Sequence, residues 1–371
     1  MRDWFKIIVD SEKLHGKFKH LLNIFYSSER ELLVDWMNDF VFKDGFKKTI
    51  EEFQNNFHSM FWEIYLNKTF LKSGFTISEK IKSPDFCLTK DDKKIFVEAV
   101  VSNIAESEPK ENERTFQDIY GNNDYYNILD ESIVRLYNSF CNKQERYENH
   151  YSNNQEIKGS PFVLAVGDYA QINYGQSYYY PLLALLYGAY YDKNDKRDDL
   201  KILCEDSLDK EYKFIESHPK KNGAPLKLGL FNDKRNEHIS AVIYSCTTTL
   251  GKLSSLSKNH IPQDKCIVVD RETYGQELQI LRYSGTQPDE TLHDGLFVYH
   301  NPNAKHKIPE DFLVEKGVTH FRFDEDGETG ICIRFNPTHG ILKRRHVCMK
   351  GMEEEFIEKF SDFHFFPVLR R

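Results

Sequence analysis

Three segments follow one another along the chain: Phe61-Trp62-Glu63-Ile64-Tyr65-Leu66, Ser83-Pro84-Asp85-Phe86 and Ile95-Phe96-Val97-Glu98-Ala99-Val100. The first segment has the apolar spacing of a helix, and the last has the composition of a buried strand. One carboxylate therefore lies on a predicted helix and two lie on or beside predicted strands. Carboxylate oxygens are the ligands that hard divalent cations prefer. This order predicts a metal site.

The surrounding pattern predicts one helix followed by three strands. The helix extends from about Ser59 to Lys72, and Gly74 is a typical C-terminal stop. Residues 75–80 alternate between apolar and polar and predict the first strand. Residues 86–89 and 94–101 are joined by a charged turn and predict the next two strands. The third strand is the most apolar, which is typical of a strand buried on both faces.

A second helix and a fourth strand complete the predicted core. Apolar residues return at helical spacing over residues 124–149, and residues 161–167 predict a buried strand. Because a helix connects the third and fourth strands, we expect these strands to be parallel. The acidic, aperiodic residues 107–123 predict a flexible loop or lid.

The spacing of two carboxylates favours a shared cation. Asp85 and Glu98 are 13 residues apart with a turn between them, so a hairpin can bring them to the same end of the sheet. The carbonyl oxygen of Ala99 is a natural third ligand, and Glu63 approaches from the helix. Mg²⁺ usually takes one or two protein carboxylates and keeps several waters. We therefore expect Mg²⁺ or Mn²⁺ at Asp85, Glu98, Ala99 and Glu63.

Each carboxylate also has a structural interpretation. A carboxylate within a strand as apolar as residues 95–101 is costly to bury alone, so Glu98 requires either a metal or a cationic partner. A structural salt bridge, with Arg135 as the partner, is the alternative. Glu63 taken alone is typical of a solvated helix position.

These residues, taken together, resemble the PD-(D/E)xK nuclease superfamily, which has the restriction-endonuclease-like fold. The matching parts are Glu63, Pro84-Asp85, Glu98-Ala99-Val100 and the helix and strand order that follows. More narrowly, the stretch is similar to bacterial proteins of unassigned function that share this pattern. The resemblance implies an α/β fold with an αβββαβ core, flanked here by N-terminal helices and a C-terminal α/β extension.

One residue departs from the superfamily pattern. The resemblance implies a lysine two residues after Glu98, where it positions the attacking water, but Val100 is there instead. Lys143 on the second predicted helix is the best replacement, because that helix is expected to pack against the sheet near the carboxylates. Arg135 is expected on a similar side of the helix, and Lys94 at the other end of its strand.

Composition limits the class of protein. The 371 residues carry 50 Lys+Arg against 58 Asp+Glu, a formal charge of -8, so contact with nucleic acid depends on a local basic patch. Seven scattered cysteines without a Cys-x-x-Cys pair are typical of reduced thiols and argue against structural zinc. The most apolar segment, residues 178–191, is too short for a membrane span. We expect a soluble, cytoplasmic protein without a membrane partner.

The length favours more than one unit. We expect an N-terminal helical segment at 1–58, a nuclease-like core at 59–175 and a C-terminal α/β extension or second lobe at 176–371. The later strands either extend the same sheet or form that second lobe. A homodimer is one assembly that this organisation allows.

The resulting hypothesis is a metal-dependent nuclease that hydrolyses phosphodiester bonds in DNA, or less favourably RNA, in bacterial defence or DNA processing. Its catalytic residues would be Glu63, Asp85, Glu98 and Lys143. The first alternative is a catalytically inactive module of the same fold that binds nucleic acid or a protein partner, because Val100 replaces the lysine. The second is an enzyme that uses the fold for another substrate.

Overall fold

The computed structural model describes most of the chain. The described residues are 3–105, 108–109, 111, 113–115, 118, 124–192, 200–204, 207–220, 223–257, 265–273, 279–285, 289–325, 329–335, 340–353, 355 and 368–370. Most of the predicted loop at 107–123 lies outside them.

Eight α-helices occur in the described residues. Numbered along the chain, they are α1 (Gly16–Leu22), α2 (Ser27–Asn38), α3 (Phe46–Asn55), α4 (Phe57–Lys72), α5 (Tyr125–Arg146), α6 (Gln155–Lys158), α7 (Tyr180–Tyr187) and α8 (Leu250–Leu256). A π-helical turn, Tyr147–Tyr151, continues directly from α5.

The main sheet has eleven strands among the described residues. From one edge to the other they are β1 (Thr76–Ile77), β2 (Phe86–Lys90), β3 (Lys93–Asn103), β4 (Phe162–Tyr169), β10 (Ala241–Ser245), β13 (Leu296–His300), β14 (Val318–Phe323), β15 (Thr329–Arg334), β6 (Leu200–Cys204), β7 (Ser207–Phe214) and β5 (Ala189–Tyr190).

Two smaller sheets accompany it. One has four strands, in the order β16 (Ile341–Met349), β11 (Lys265–Thr273), β12 (Gln279–Gly285) and β17 (Val368–Arg370), and the other pairs β8 (Ser217–Pro219) with β9 (Pro225–Lys227). The protein is therefore a mixed α/β protein, as the sequence predicts.

The predicted helix and strand order around the carboxylates is present. The chain passes through α4, β1, β2, β3, α5 and β4, and β2 pairs antiparallel with β3. The strand β4 pairs parallel with β3, because α5 carries the chain across one face of the sheet before β4 begins. The later strands extend this same sheet, since β10 pairs parallel with the free side of β4.

Alternating side chains on the central strands divide the core in two. On β3, Phe96 belongs to the cluster that contains the apolar residues of α5 and α7. Its neighbours Ile95 and Val97 belong to the cluster that contains α4 and the N-terminal helices. Glu98 therefore points towards the face covered by α5, because strand side chains alternate between faces.

None of the described helices combines the length and the apolar composition that a membrane span requires.

Candidate active site

The hairpin of β2 and β3 brings Asp85 opposite Glu98. Phe86 pairs with Val97 across the two strands. Asp85, which immediately precedes β2, therefore lies beside Glu98 of β3. The Ala99 backbone N–H donates a 2.7 Å hydrogen bond to Oδ2 of Asp85. This bond fixes one oxygen of Asp85.

Glu98 is fully buried and is held by three side chains. Lys143 donates to its Oε1 at 2.7 Å, and Nη1 of Arg146 lies 3.1 Å from the same oxygen. The Tyr151 hydroxyl donates to Oε2 at 2.9 Å. These contacts compensate a charge that would be unfavourable if it were buried alone.

The end of α5 supplies these partners. Lys143 and Arg146 are three residues apart and share one face of the helix, and the π-helical turn that follows carries Tyr151. Lys143 was expected here from sequence. Arg146 could have been found from that spacing, whereas Tyr151 depends on a turn that the sequence pattern does not predict.

Glu63 is positioned by its neighbour Trp62 on α4. The Trp62 ring is fully buried, and its Nε1 donates to the carbonyl of Ala165 on β4 at 3.0 Å. This contact docks α4 on the sheet, and the next residue points about 100° further around the helix. Glu63 is consequently half-buried and faces a cavity that Asp85 also lines.

The carboxylates shift each other's protonation. Burial, followed by the charge of Glu98, raises the pKa of Asp85 to about 6. Burial, followed by the charges of Asp85 and Glu52, raises the pKa of Glu63 to about 8. The charged forms of both groups are therefore disfavoured without a cation, and like charges at close range are a recognised cause of such shifts.

Sequence reasoning missed a second lysine at this site. Lys43 precedes α3, and its Nζ donates to the carbonyl of Pro84 at 2.9 Å. Burial lowers its pKa, while the charges of Asp85 and Glu63 oppose that effect. Nothing in the local sequence signals this role, because Lys43 lies 41 residues before Pro84 and only packing of the N-terminal helices brings it near.

A cavity of about 390 Å³ opens where these groups converge; its lining includes Glu63, Asp85, Ala99, Val100, Lys143 and Arg146. A neighbouring cavity of about 230 Å³ shares Glu63 and Asp85 and adds Lys43 and Lys82. Two carboxylates thus lie between Lys43 and Lys82 in one cavity and Lys143 and Arg146 in the other.

The other two basic residues considered from sequence lie elsewhere. Lys94 bonds to Glu156 at the opposite end of β3. Arg135 lines a different cavity, of about 650 Å³, with Asp130 and His218. In the part of the chain that the structure describes, the basic residues beside Glu98 are Lys143 and Arg146.

The carboxylates are close neighbours without forming a compact ligand cluster. The oxygens of Glu63, Asp85 and Glu98 are not all within 4.8 Å of one another; among the described residues, a group of three or more that meets this limit occurs at His15, His58 and Glu111. Glu98 is held by Lys143, Arg146 and Tyr151. The oxygens that face the cavity therefore belong to Asp85 and Glu63.

No protein-family model, curated protein or solved structure matches this chain.

Proposed function

We propose that the protein is a metal-dependent nuclease with a restriction-endonuclease-like core, which uses Mg²⁺ or Mn²⁺ to hydrolyse phosphodiester bonds in DNA. The observation that carries the proposal is a single cavity lined by Asp85, Glu63 and the cationic Lys143 and Arg146, with Glu98 buried beside it against Lys143. The order α4, β1, β2, β3, α5, β4 supports it. The choice of DNA follows from the sequence resemblance.

The residues present fit a hard divalent cation. Mg²⁺ takes one or two protein carboxylates and otherwise keeps water, so Asp85 together with one neighbouring carboxylate is a sufficient set. The raised pKa values of Asp85 and Glu63 mean that burial leaves their ionised forms without enough compensation. A bound cation would supply that compensation, lower the pKa of a water molecule and neutralise charge on the scissile phosphate.

Each side chain has a distinct task in this proposal. Asp85 is oriented by the Ala99 N–H, which leaves Oδ1 for the cavity. Glu63, the second carboxylate that lines the cavity, would join Asp85 as a ligand in its ionised form. Lys143 and Arg146 form ion pairs with Glu98 and present positive charge to a phosphate at the cavity rim.

Metal binding is the first test. Calorimetric titration with Mn²⁺ at pH 7 should show binding that releases about one proton, because Glu63 must ionise and metal ligands lose protons on binding. Repeating the titration in buffers of different ionisation enthalpy measures that proton. Asp85→Asn should weaken binding strongly. The control is Asp92→Asn, at an exposed turn position with φ 60°, where asparagine is also tolerated.

Cleavage is the second test. Plasmid, linear and single-stranded DNA are incubated with the protein and Mn²⁺ or Mg²⁺. We expect at least one substrate to be cut, Asp85→Asn to lose activity and Asp92→Asn to keep it. Absence of both cleavage and metal binding in the unmodified protein would reject the proposal.

A specific observation favours the inactive module as second candidate. Both oxygens of Glu98 already have partners without any metal, namely Lys143, Arg146 and Tyr151. Under this alternative the protein binds DNA without cutting it. Lys43→Met and Lys143→Met would then weaken DNA binding in a gel-shift assay, and Mn²⁺ would change neither binding nor DNA length.

A further inference from the structure

A second group of metal-ligand residues lies outside the carboxylate cavity. His15, His58 and Glu111 each offer a ligand atom, and these atoms all lie within 4.8 Å of one another. His15 immediately precedes α1, His58 is the second residue of α4, and Glu111 comes from the connection between β3 and α5. The sequence pattern signals none of them, because they come from three distant parts of the chain.

The distances suit a small ion with nitrogen and oxygen ligands. Nε2 of His58 lies 3.1 Å from Oε1 of Glu111, and Nε2 of His15 lies 3.8 Å from Oε2 of the same carboxylate. Ligand atoms around a tetrahedral zinc ion, each about 2.0–2.1 Å from the metal, are roughly 3.3 Å apart. Small side-chain rotations would therefore complete the geometry.

Unpartnered polar atoms give an independent indication of a ligand. The Glu111 side chain is only 8% exposed, yet its Oε2 has no hydrogen-bond partner in the described residues, and the same holds for Nδ1 of His58 and the hydroxyls of Tyr169 and Tyr174. Buried polar atoms are rarely left unpaired. All four residues line one cavity of about 430 Å³.

The electrostatic state of the group favours ligation. Burial lowers the pKa of His15 to about 4 and also lowers that of His58, so both rings are neutral, the form that binds metals. Burial acts to raise the pKa of Glu111, but the His58 hydrogen bond and the charge of Lys17 outweigh it and lower the value to about 2. The carboxylate is therefore ionised.

Lys17 is the competitor that a metal must replace. Its Nζ lies 3.6 Å from Oε1 of Glu111, and its flexible stem allows the ammonium group to move away. His15 requires one further change, since its Nδ1 accepts a hydrogen bond from the Lys17 backbone N–H. Ligation through Nε2 moves the ring proton to Nδ1 and gives up that capping bond.

We propose that His15, His58 and Glu111 form a binding site for a divalent transition metal of borderline softness, with Zn²⁺ as the representative ion. Imidazole nitrogen selects such metals over Mg²⁺. Three protein ligands leave a coordination position for water or a small ligand, and the adjoining cavity has room for it. The site is independent of the nuclease proposal.

The test uses the full-length protein, freed of metal with a chelator and titrated with Zn²⁺ by calorimetry in excess Mg²⁺. We expect one equivalent of Zn²⁺ to bind. His58→Gln and Glu111→Gln should each weaken binding at least about tenfold, because each removes a direct ligand. His150→Gln changes an exposed histidine and should leave the affinity unaltered, as should Asp85→Asn. Thermal melting checks that every variant is folded.

Two further measurements separate the metal site from a structural ion pair. Visible absorption of Co²⁺ added in place of Zn²⁺ should show ligand-field bands that Glu111→Gln removes. Lys17→Met should tighten Zn²⁺ binding, since it removes the competing charge. Lack of Zn²⁺ binding by the unmodified protein, or unchanged binding by Glu111→Gln, would overturn the proposal. If Asp85→Asn binds Zn²⁺ as the unmodified protein does, the zinc site stands even if the nuclease proposal fails.

Discussion

The individual carboxylates differ in what holds them. Glu98 is buried and has three partners, whereas Asp85 has one hydrogen bond to the Ala99 backbone and Glu63 is half-buried beside it. Burial is costly for a charge that lacks a partner, so the ionised forms of Asp85 and Glu63 are disfavoured, as their raised pKa values indicate. These are the two carboxylates at which a cation is proposed to bind.

The free energy of unfolding of Glu63→Gln, measured at two pH values, tests whether burial of this carboxylate is unfavourable. The folded-state pKa of Glu63, about 8, lies above its ordinary value of 4.5, so the folded protein binds the proton more tightly than the unfolded chain. Stability from this group is therefore present below pH 4.5 and is lost as pH rises through 8. Without metal, Glu63→Gln should nearly match the unmodified protein at pH 5 and exceed its free energy of unfolding at pH 8, by on the order of 1–3 kcal/mol.

Urea unfolding at the two pH values measures this difference. Glu79→Gln, at an exposed position, is the control. The difference between its free energy of unfolding and that of the unmodified protein should be small at both pH values. Comparing each variant with the unmodified protein cancels the opposite pH dependence of the buried histidines. A Glu63→Gln difference that is equal at both pH values would contradict the electrostatic explanation.

Lys143 tests the burial of Glu98. Its ammonium group is 2.7 Å from Oε1 of Glu98, whose side chain is 1% exposed. Lys143→Met leaves that charge with only Arg146 and Tyr151, and we expect a loss of about 1–3 kcal/mol in the free energy of unfolding. Lys158→Met, at an exposed position, should cost little. The double variant Glu98→Gln with Lys143→Met should lose less than the sum of the two single variants.

At the scale of elements, the contact between α4 and β4 determines where Glu63 lies. Trp62 packs directly over Gly167, where a Cβ atom would lie 3.0 Å from the indole ring and 3.1 Å from the ring of Tyr169. The sequence predicts both elements, but it does not show that this glycine makes room for the tryptophan. The position of the carboxylate therefore depends on a contact between distant residues.

Gly167→Ala should separate α4 from β4. We expect a loss of about 1–3 kcal/mol in the free energy of unfolding, because overpacking a well-packed core forces neighbouring groups to shift. Mn²⁺ affinity should fall as well, since Glu63 moves with α4. Gly285→Ala on β12 is the control, because its Cβ would meet nothing within 4 Å in the described residues. A stable variant with unchanged metal affinity would show that the contact tolerates the methyl group.

At the scale of the whole molecule, one sheet unites the site with the C-terminal half. Strand β4 is buried throughout and pairs with β3 on one side and with β10 on the other. Residues beyond 175 therefore complete the sheet that carries Asp85 and Glu98. They also supply β13, β14 and β15, which continue it.

Truncation tests this dependence. A fragment of residues 1–175 leaves one edge of β4 without its partner strand, and exposed apolar edges promote aggregation. We expect the fragment to be insoluble or to lack a cooperative thermal transition by circular dichroism, while the full chain melts cooperatively. A monomeric, cooperatively folded fragment in size-exclusion chromatography would show instead that residues 59–175 are an independent domain.

Much of the local structure was predictable because its signals are local. The helical spacing before Gly74 predicted α4, and the charged turn after Thr89 predicted the hairpin of β2 and β3. The crossover helix predicted that β4 is parallel to β3. The approach of Lys143 to Glu98 followed from those elements. Tyr151 and Lys43 were not predictable, because a π-helical turn and the packing of N-terminal helices bring them to the site.

The element order, the parallel pairing of β4 with β3 and the candidate carboxylates were predictable from the sequence, because these depend on spacing along the chain and on the crossover helix. The hydrogen bond of Tyr151 to Glu98, the arrival of Lys43 at the site and the meeting of His15, His58 and Glu111 depend on the tertiary structure. Those outcomes depend on distances between residues far apart in sequence, which local periodicity does not encode. They are set by how the helices pack on the shared sheet.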